Sequence, residues 1–152
     1  MTAGTRWSRR GFLTSSAALA VGTLGVGSAH AAERSSSFSA SQLEAVVEAT
    51  ANCQKVGEAC LALAVKQLGQ GMTEMARCQE TCIDMLATTG AMLTVATHAT
   101  ANADVISGLA AVTAKACREC ETACAEFEAA AYKRCAESCR RTATACEALS
   151  SR

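Results

Sequence analysis

Cys117-Arg118-Glu119-Cys120-Glu121-Thr122-Ala123-Cys124 and Cys135-Ala136-Glu137-Ser138-Cys139-Arg140-Arg141-Thr142-Ala143-Thr144-Ala145-Cys146 decide how this chain folds. Within each stretch the cysteines recur at gaps of three, four and seven, which return a side chain to the same face of an α-helix. The same gaps join Cys53 to Cys60 and Cys78 to Cys82. At about 100° of rotation per residue, each group occupies roughly 60° of arc on its own helix. The thiols therefore take the face that a bundle helix normally fills with Leu, Ile and Val. The ten cysteines of the chain all lie on such stripes.

Working outward, the rest of the domain also reads as helix. The chain of 152 residues has no proline and is rich in alanine. Ser41 and Glu44 have the spacing of a capping box, so the first helix is expected from Ser41 to about Leu68, ending at Gly69-Gln70-Gly71. Thr73-Glu74 starts a second helix to about Ala96, with Gly90 as a weak point. Thr97 to Asn102 is the next turn, and Asn102 or Asp104 caps the third helix. The last turn is not written in turn residues. Cys124 and Cys135 stay in phase on an uninterrupted helix, so Asp104 to Leu149 fits one helix of roughly 46 residues, far beyond the usual length in a small domain. A fold-back between Phe127 and Ala131 instead turns the last two thiol stripes toward each other. The expected fold is all-α: an antiparallel four-helix bundle over residues 41–150 with cysteines lining the core.

Placed by height at about 1.5 Å per residue from the end with the first and third turns, the sulfurs form a ladder. Cys124 and Cys135 come first at roughly 7 Å, and Cys78, Cys139, Cys120 and Cys60 follow at around 12–15 Å. Cys82 and Cys117 lie near roughly 18 Å, and Cys146 and Cys53 come last at roughly 23–26 Å.

The amino-terminal segment is of another kind. Ser8-Arg9-Arg10-Gly11-Phe12-Leu13-Thr14 resembles the twin-arginine export signal. A Gly/Ala-rich stretch from Ser16 to Gly27 and the small-residue site Ala29-His30-Ala31 follow it. Residues 1–31 are thus expected to be removed and 32–40 to form a flexible lead-in. Gly11 to Ala32 carries no charge, but its four glycines make it a poor membrane anchor, and no later segment is apolar enough to span. The protein is expected outside the cytoplasm, in the periplasm or an equivalent compartment. Resemblance of the signal further implies export in the folded state, often with a metal already bound. Loss of Arg6, Arg9 and Arg10 leaves 11 Lys+Arg against 14 Asp+Glu, a mildly acidic chain. With no basic block and few aromatics, no nucleic-acid partner is expected.

Three chemistries compete for the thiols. Cysteine as a small buried hydrophobe suits one or two positions, not ten. A disulfide framework is invited by the even count and the export signal. However, Cβ atoms at i,i+4 stand about 5–6 Å apart, against about 3.5–4.5 Å in a disulfide, which leaves only bridges between helices. Metal thiolate is the third. Two sulfurs about 2.3 Å from one ion span up to about 4.6 Å, which a small inward lean of both side chains achieves. Soft thiolates select Cu(I), Zn(II) or Fe–S clusters. Zinc wants closed sets of four, whereas Cu(I) accepts low coordination and shared thiolates, and a ladder of monovalent ions keeps the core near neutral.

Met75, Met85 and Met92 share the face of Cys78 and Cys82. Met75 and Met85 read as core filler, and Met92 as a candidate ligand at the bundle mouth. His98, the one histidine after the leader, reads as an exposed loop residue, with a mouth ligand as the alternative.

With thiols on four helices and this leader, the chain resembles the copper storage proteins. The similarity is most specific in Met75-Ala76-Arg77-Cys78-Gln79-Glu80-Thr81-Cys82 and Arg134-Cys135-Ala136-Glu137-Ser138-Cys139-Arg140-Arg141. It implies that Cys53, Cys60, Cys78, Cys82, Cys117, Cys120, Cys124, Cys135, Cys139 and Cys146 are all copper ligands. It further implies several Cu(I) ions per chain, partners among copper-requiring proteins or copper chaperones, and a homotetramer as an assembly common in the family. Val56, Tyr132 and Thr142 stand where denser repeats would place further thiols, so a smaller capacity is expected.

Rival functions are a disulfide-stapled helical adaptor and a zinc or Fe–S protein. An enzyme is not expected: no Glu-x-x-His di-iron motif is present, and one histidine cannot build the usual hydrolytic sites. Cys117-Arg118-Glu119-Cys120 has thioredoxin-like spacing, but without the βαβ setting that chemistry uses.

Overall fold

The computed structural model describes residues 38–98 and 102–150. The expected export signal and cleavage site, and the expected lead-in as far as residue 37, lie outside the described residues. Four helices follow in order: α1 (Ala40–Gly69), α2 (Ala76–His98), α3 (Ala103–Ala125) and α4 (Ala130–Ser150). Each packs against two neighbours and none across the diagonal, the square cross-section of an antiparallel four-helix bundle. Among the described residues there is no strand, and no helix is long and apolar enough to cross a membrane.

α1 starts slightly earlier than expected. Its capping box is Ser39 with Gln42, not Ser41 with Glu44. Ser39 Oγ accepts from the Gln42 N–H at 3.2 Å, and the Ser39 N–H donates to Gln42 Oε1 at 3.0 Å. Both pairs satisfy the same spacing rule, and the earlier one wins because Ala40 already extends the helix. Gly71, at φ 89°, supplies the left-handed step that leaves α1. A 3₁₀ turn over Thr73–Met75 then leads into α2.

α2 runs through Gly90 without a break. A Cβ there would stand 3.4 Å from Gln54 Nε2, the amide that donates to Thr89 Oγ1 at 2.6 Å. Asn102 caps α3, its Oδ1 accepting from the Asp104 N–H at 2.9 Å.

The fold-back between α3 and α4 is made by burial. Phe127 and Tyr132 hold their ring centroids 5.2 Å apart across the turn, and Tyr132 is 1% exposed. On the outside Arg118 of α3 clamps Glu147 of α4 with two hydrogen bonds of 3.0 Å, and it also holds Glu121.

Turns at one end do not put the helices level. Asn52, in the first half of α1, donates to Ser138 Oγ, in the first half of α4, at 2.8 Å. Nearby, Thr142 Oγ1 lies 3.1 Å from the Ala49 carbonyl. Antiparallel helices in level register would bring a first half against a second half, so α1 overhangs the α3–α4 turn.

The core is stratified. Toward the overhanging end lie Met75, Tyr132 and the thiols. Away from it, one residue of each helix forms a belt of fully buried threonines: Thr50, Thr89, Thr113 and Thr142. Their hydroxyls bond carbonyls of Val46, Met85, Thr88 and Ser138, at 2.6, 2.7, 3.3 and 3.0 Å respectively. Beyond the belt an apolar cluster fills the far end, containing Val46, Met92, Ala96, Ile106, Ala110 and Leu149, with Cys146 among them.

Candidate metal centre

Helical spacing aims every cysteine inward, and all ten are fully buried free thiols. Nine form one continuous column. Cys78 Sγ stands 3.3 Å from Cys124 Sγ, and Cys124 lies 3.6 Å from Cys60. Cys60 is 3.6 Å from Cys82, and Cys82 is 3.6 Å from Cys120. Cys120 continues to Cys135 at 3.9 Å. Cys120, Cys135 and Cys139 all lie within 4.8 Å of one another, as do Cys53, Cys117 and Cys139. A further set of four, Cys60, Cys82, Cys124 and Cys135, meets the same limit. Cys135 and Cys139 each belong to two sets, so the sets share sulfurs.

The level assigned to Cys53 is corrected. Height from the turn places it with Cys146 at the far end, but its Sγ lies 3.9 Å from Cys139 Sγ. The overhang of α1 explains this, because residues of α1 sit nearer the turn end than their count suggests. Cys146 is left apart, beyond the threonine belt in the apolar cluster.

Separations of 3.3–4.0 Å fall within the span that two thiolates bridge around one soft ion. Hard ligands are missing from this interior: no Asp, Glu, Lys or Arg is buried among the described residues. The thiols also tune one another. Cys53 is held below the ordinary thiol range by hydrogen bonds from Cys117 and then Cys139, against the effect of burial. The Cys135 thiol is likewise held down, chiefly by Cys120 and then Cys124. Cys146 lacks such donors, and burial pushes it up to about 12. Cys60, Cys82, Cys117, Cys124 and Cys139 are pushed up in turn. The column thus alternates thiols that release a proton readily with neighbours that donate hydrogen bonds to them until metal displaces their protons.

The two residues considered for the mouth occupy different settings. Met92 is fully buried in the apolar cluster. His98 is the last residue of α2, exposed, with Nδ1 2.8 Å from the Thr94 carbonyl. Neither joins the sulfur column. Met85, read as core filler, has Sδ 3.3 Å from Cys53 Sγ. Its place on the Cys78/Cys82 face was the available signal. Met75 lies at the other end, its Sδ 3.2 Å from the Tyr132 hydroxyl, which donates to Gln67 Oε1. Tyr132 and Thr142 thus close the column where further thiols would have continued it.

Residues 39–151 match the family model described as copper storage protein. No match was found among curated proteins.

Proposed function

The chain belongs to the copper storage protein family, and from that premise we propose that it holds several Cu(I) ions along the thiol column, outside the cytoplasm. The family's role is storage rather than catalysis. The observation that carries the Cu(I) reading is the unbroken run of nine sulfurs at shared-ligand distances. A monovalent soft ion can occupy successive two- and three-sulfur sites along it, each thiol releasing one proton as a sulfur–copper bond forms. Near one-to-one pairing of Cu⁺ with thiolate keeps the buried column close to neutral. Stored copper would leave by ligand exchange toward copper-requiring proteins or their chaperones, and the same capacity would buffer excess copper. The twin-arginine-like leader supports the exported location.

Cu(I) titration of the reduced protein against a competing chelator, without oxygen, tests this. The expected result is roughly one Cu(I) per thiol with unchanged helicity. Saturation after one or two ions would rule storage out. A second reading has one observation in its favour: Cys60, Cys82, Cys124 and Cys135 make a four-thiol set of the kind that holds zinc. Under that reading zinc binds with a stoichiometry of one and resists displacement by Cu(I).

A further inference from the structure

We propose that Met85 is a copper ligand, completing a three-thiolate, one-thioether site with Cys53, Cys117 and Cys139 at the belt end of the column. This rests on the copper-storage reading and adds a donor that cysteine spacing does not reveal.

Two independent observations carry it. The first is proximity. Cys53, Cys117 and Cys139 keep their sulfurs within 4.8 Å of one another, and Met85 Sδ lies 3.3 Å from Cys53 Sγ. An ion bound to Cys53 within that set lies beside the thioether, since the two sulfurs are closer than the span of two ligands around one soft ion. Met85 is fully buried and therefore held in this place by packing.

The second is the cradle opposite it. Gly57 lies inside α1, where glycine costs about 1 kcal/mol relative to alanine. A Cβ at Gly57 would stand 2.6 Å from Met85 Cε and 3.0 Å from Leu86 Cδ2. The glycine thus leaves space for the thioether methyl. A leucine at position 85 would fill a core as well, so packing alone does not ask for sulfur here.

The chemistry suits the end of the column. Thiols in the middle share neighbours on both sides, whereas beyond Cys53, Cys117 and Cys139 stands the threonine belt. Those hydroxyls bond backbone carbonyls, and Thr89 Oγ1 also lies 3.8 Å from Met85 Sδ. A thioether adds a soft lone pair without adding negative charge or requiring a proton to leave. The terminal ion then gains a donor at no electrostatic cost to a buried site.

The test is selenium-edge X-ray absorption on the full chain with selenomethionine at every methionine, reduced and loaded with Cu(I). Met85→Leu, close in volume, serves as the comparison. A copper neighbour in the first shell of selenium, lost or strongly reduced in Met85→Leu, is the expected result. The variant should also release its most weakly held copper to a chelator several-fold faster. If wild-type protein loads many copper ions but selenium shows no copper neighbour, or Met85→Leu leaves the signal unchanged, the Met85 site is overturned while storage stands. If the wild-type chain takes up no copper, both fall.

Discussion

Cys53 on α1 and Cys139 on α4 bring their sulfurs within 3.9 Å of each other across 86 residues of sequence. That contact joins the first helix to the last and makes Cys139 a hinge between two thiol sets, since it also belongs with Cys120 and Cys135. Cys146, about two turns further along α4, belongs to neither.

Removing these two thiols should therefore have unequal effects. Cys139→Ala is expected to lower copper at saturation by more than one ion per chain, because it breaks two sets. Cys146→Ala should lower it by one at most. Copper-to-protein ratio at the end of an anaerobic chelator titration distinguishes them, and equal losses would contradict the shared-sulfur arrangement.

Thr142 blocks the column on α4. Its hydroxyl bonds the Ser138 carbonyl at 3.0 Å and contacts the Ala49 carbonyl at 3.1 Å. Thr142→Cys places a thiol between Cys139 and Cys146 on the same face. We expect about 1 kcal/mol of lost stability from the missing hydrogen bonding. Copper capacity should rise above that of the parent in the same titration, by at least one ion.

Tyr132 closes the other end. Its pKa is pushed up to about 12, first by burial and then by the neighbouring Cys78 and Cys60 thiols. Tyr132→Phe keeps the ring, loses the bond to Gln67 and should cost about 1 kcal/mol in denaturant unfolding. Tyr132→Ala should cost about 3–5 kcal/mol and open a path to the thiols beneath. A stopped-flow assay with a thiol reagent on the metal-free protein should show a fast phase only in the alanine variant.

Alkaline pH should weaken the metal-free protein. Cys146 goes from an ordinary thiol value of 9.0 to about 12 on burial. Its contribution is therefore complete below pH 9 and lost as pH rises toward 12, because the unfolded chain sheds the proton first. Cys146→Ala should flatten the fall in unfolding free energy between pH 9 and pH 12 by a few kcal/mol. A variant as steep as the parent would place the alkaline sensitivity elsewhere.

Much of this was legible in the residues. Gaps of three, four and seven report the angle of a side chain around its helix, and that angle aimed each cysteine inward. The α3–α4 fold-back was also readable, because the thiol stripes of α3 and α4 needed to face each other even though no turn residue marked the place. Height was not readable. Angular phase within a helix says nothing about how far one helix slides along another, and the overhang of α1 moved Cys53 from the far end into the column. Met85 is core filler as expected, but its contact with Cys53 and the space left by Gly57 arise between helices and could not be read from spacing. The choice of Ser39 over Ser41 as cap was a contest between two sequences that satisfy one rule.

The threonine belt makes the interior two compartments rather than one. Its hydroxyls bond backbone carbonyls, Thr89 also lies 3.8 Å from Met85 Sδ, and no thiol stands between Cys139 and Cys146 on α4. A cargo loaded from the Tyr132 end would saturate nine sulfurs and stop, leaving the tenth without a neighbouring sulfur to share an ion. Alkylation of fully charged protein after unfolding should then tag a single cysteine first, at a position the amino-acid count alone would never distinguish.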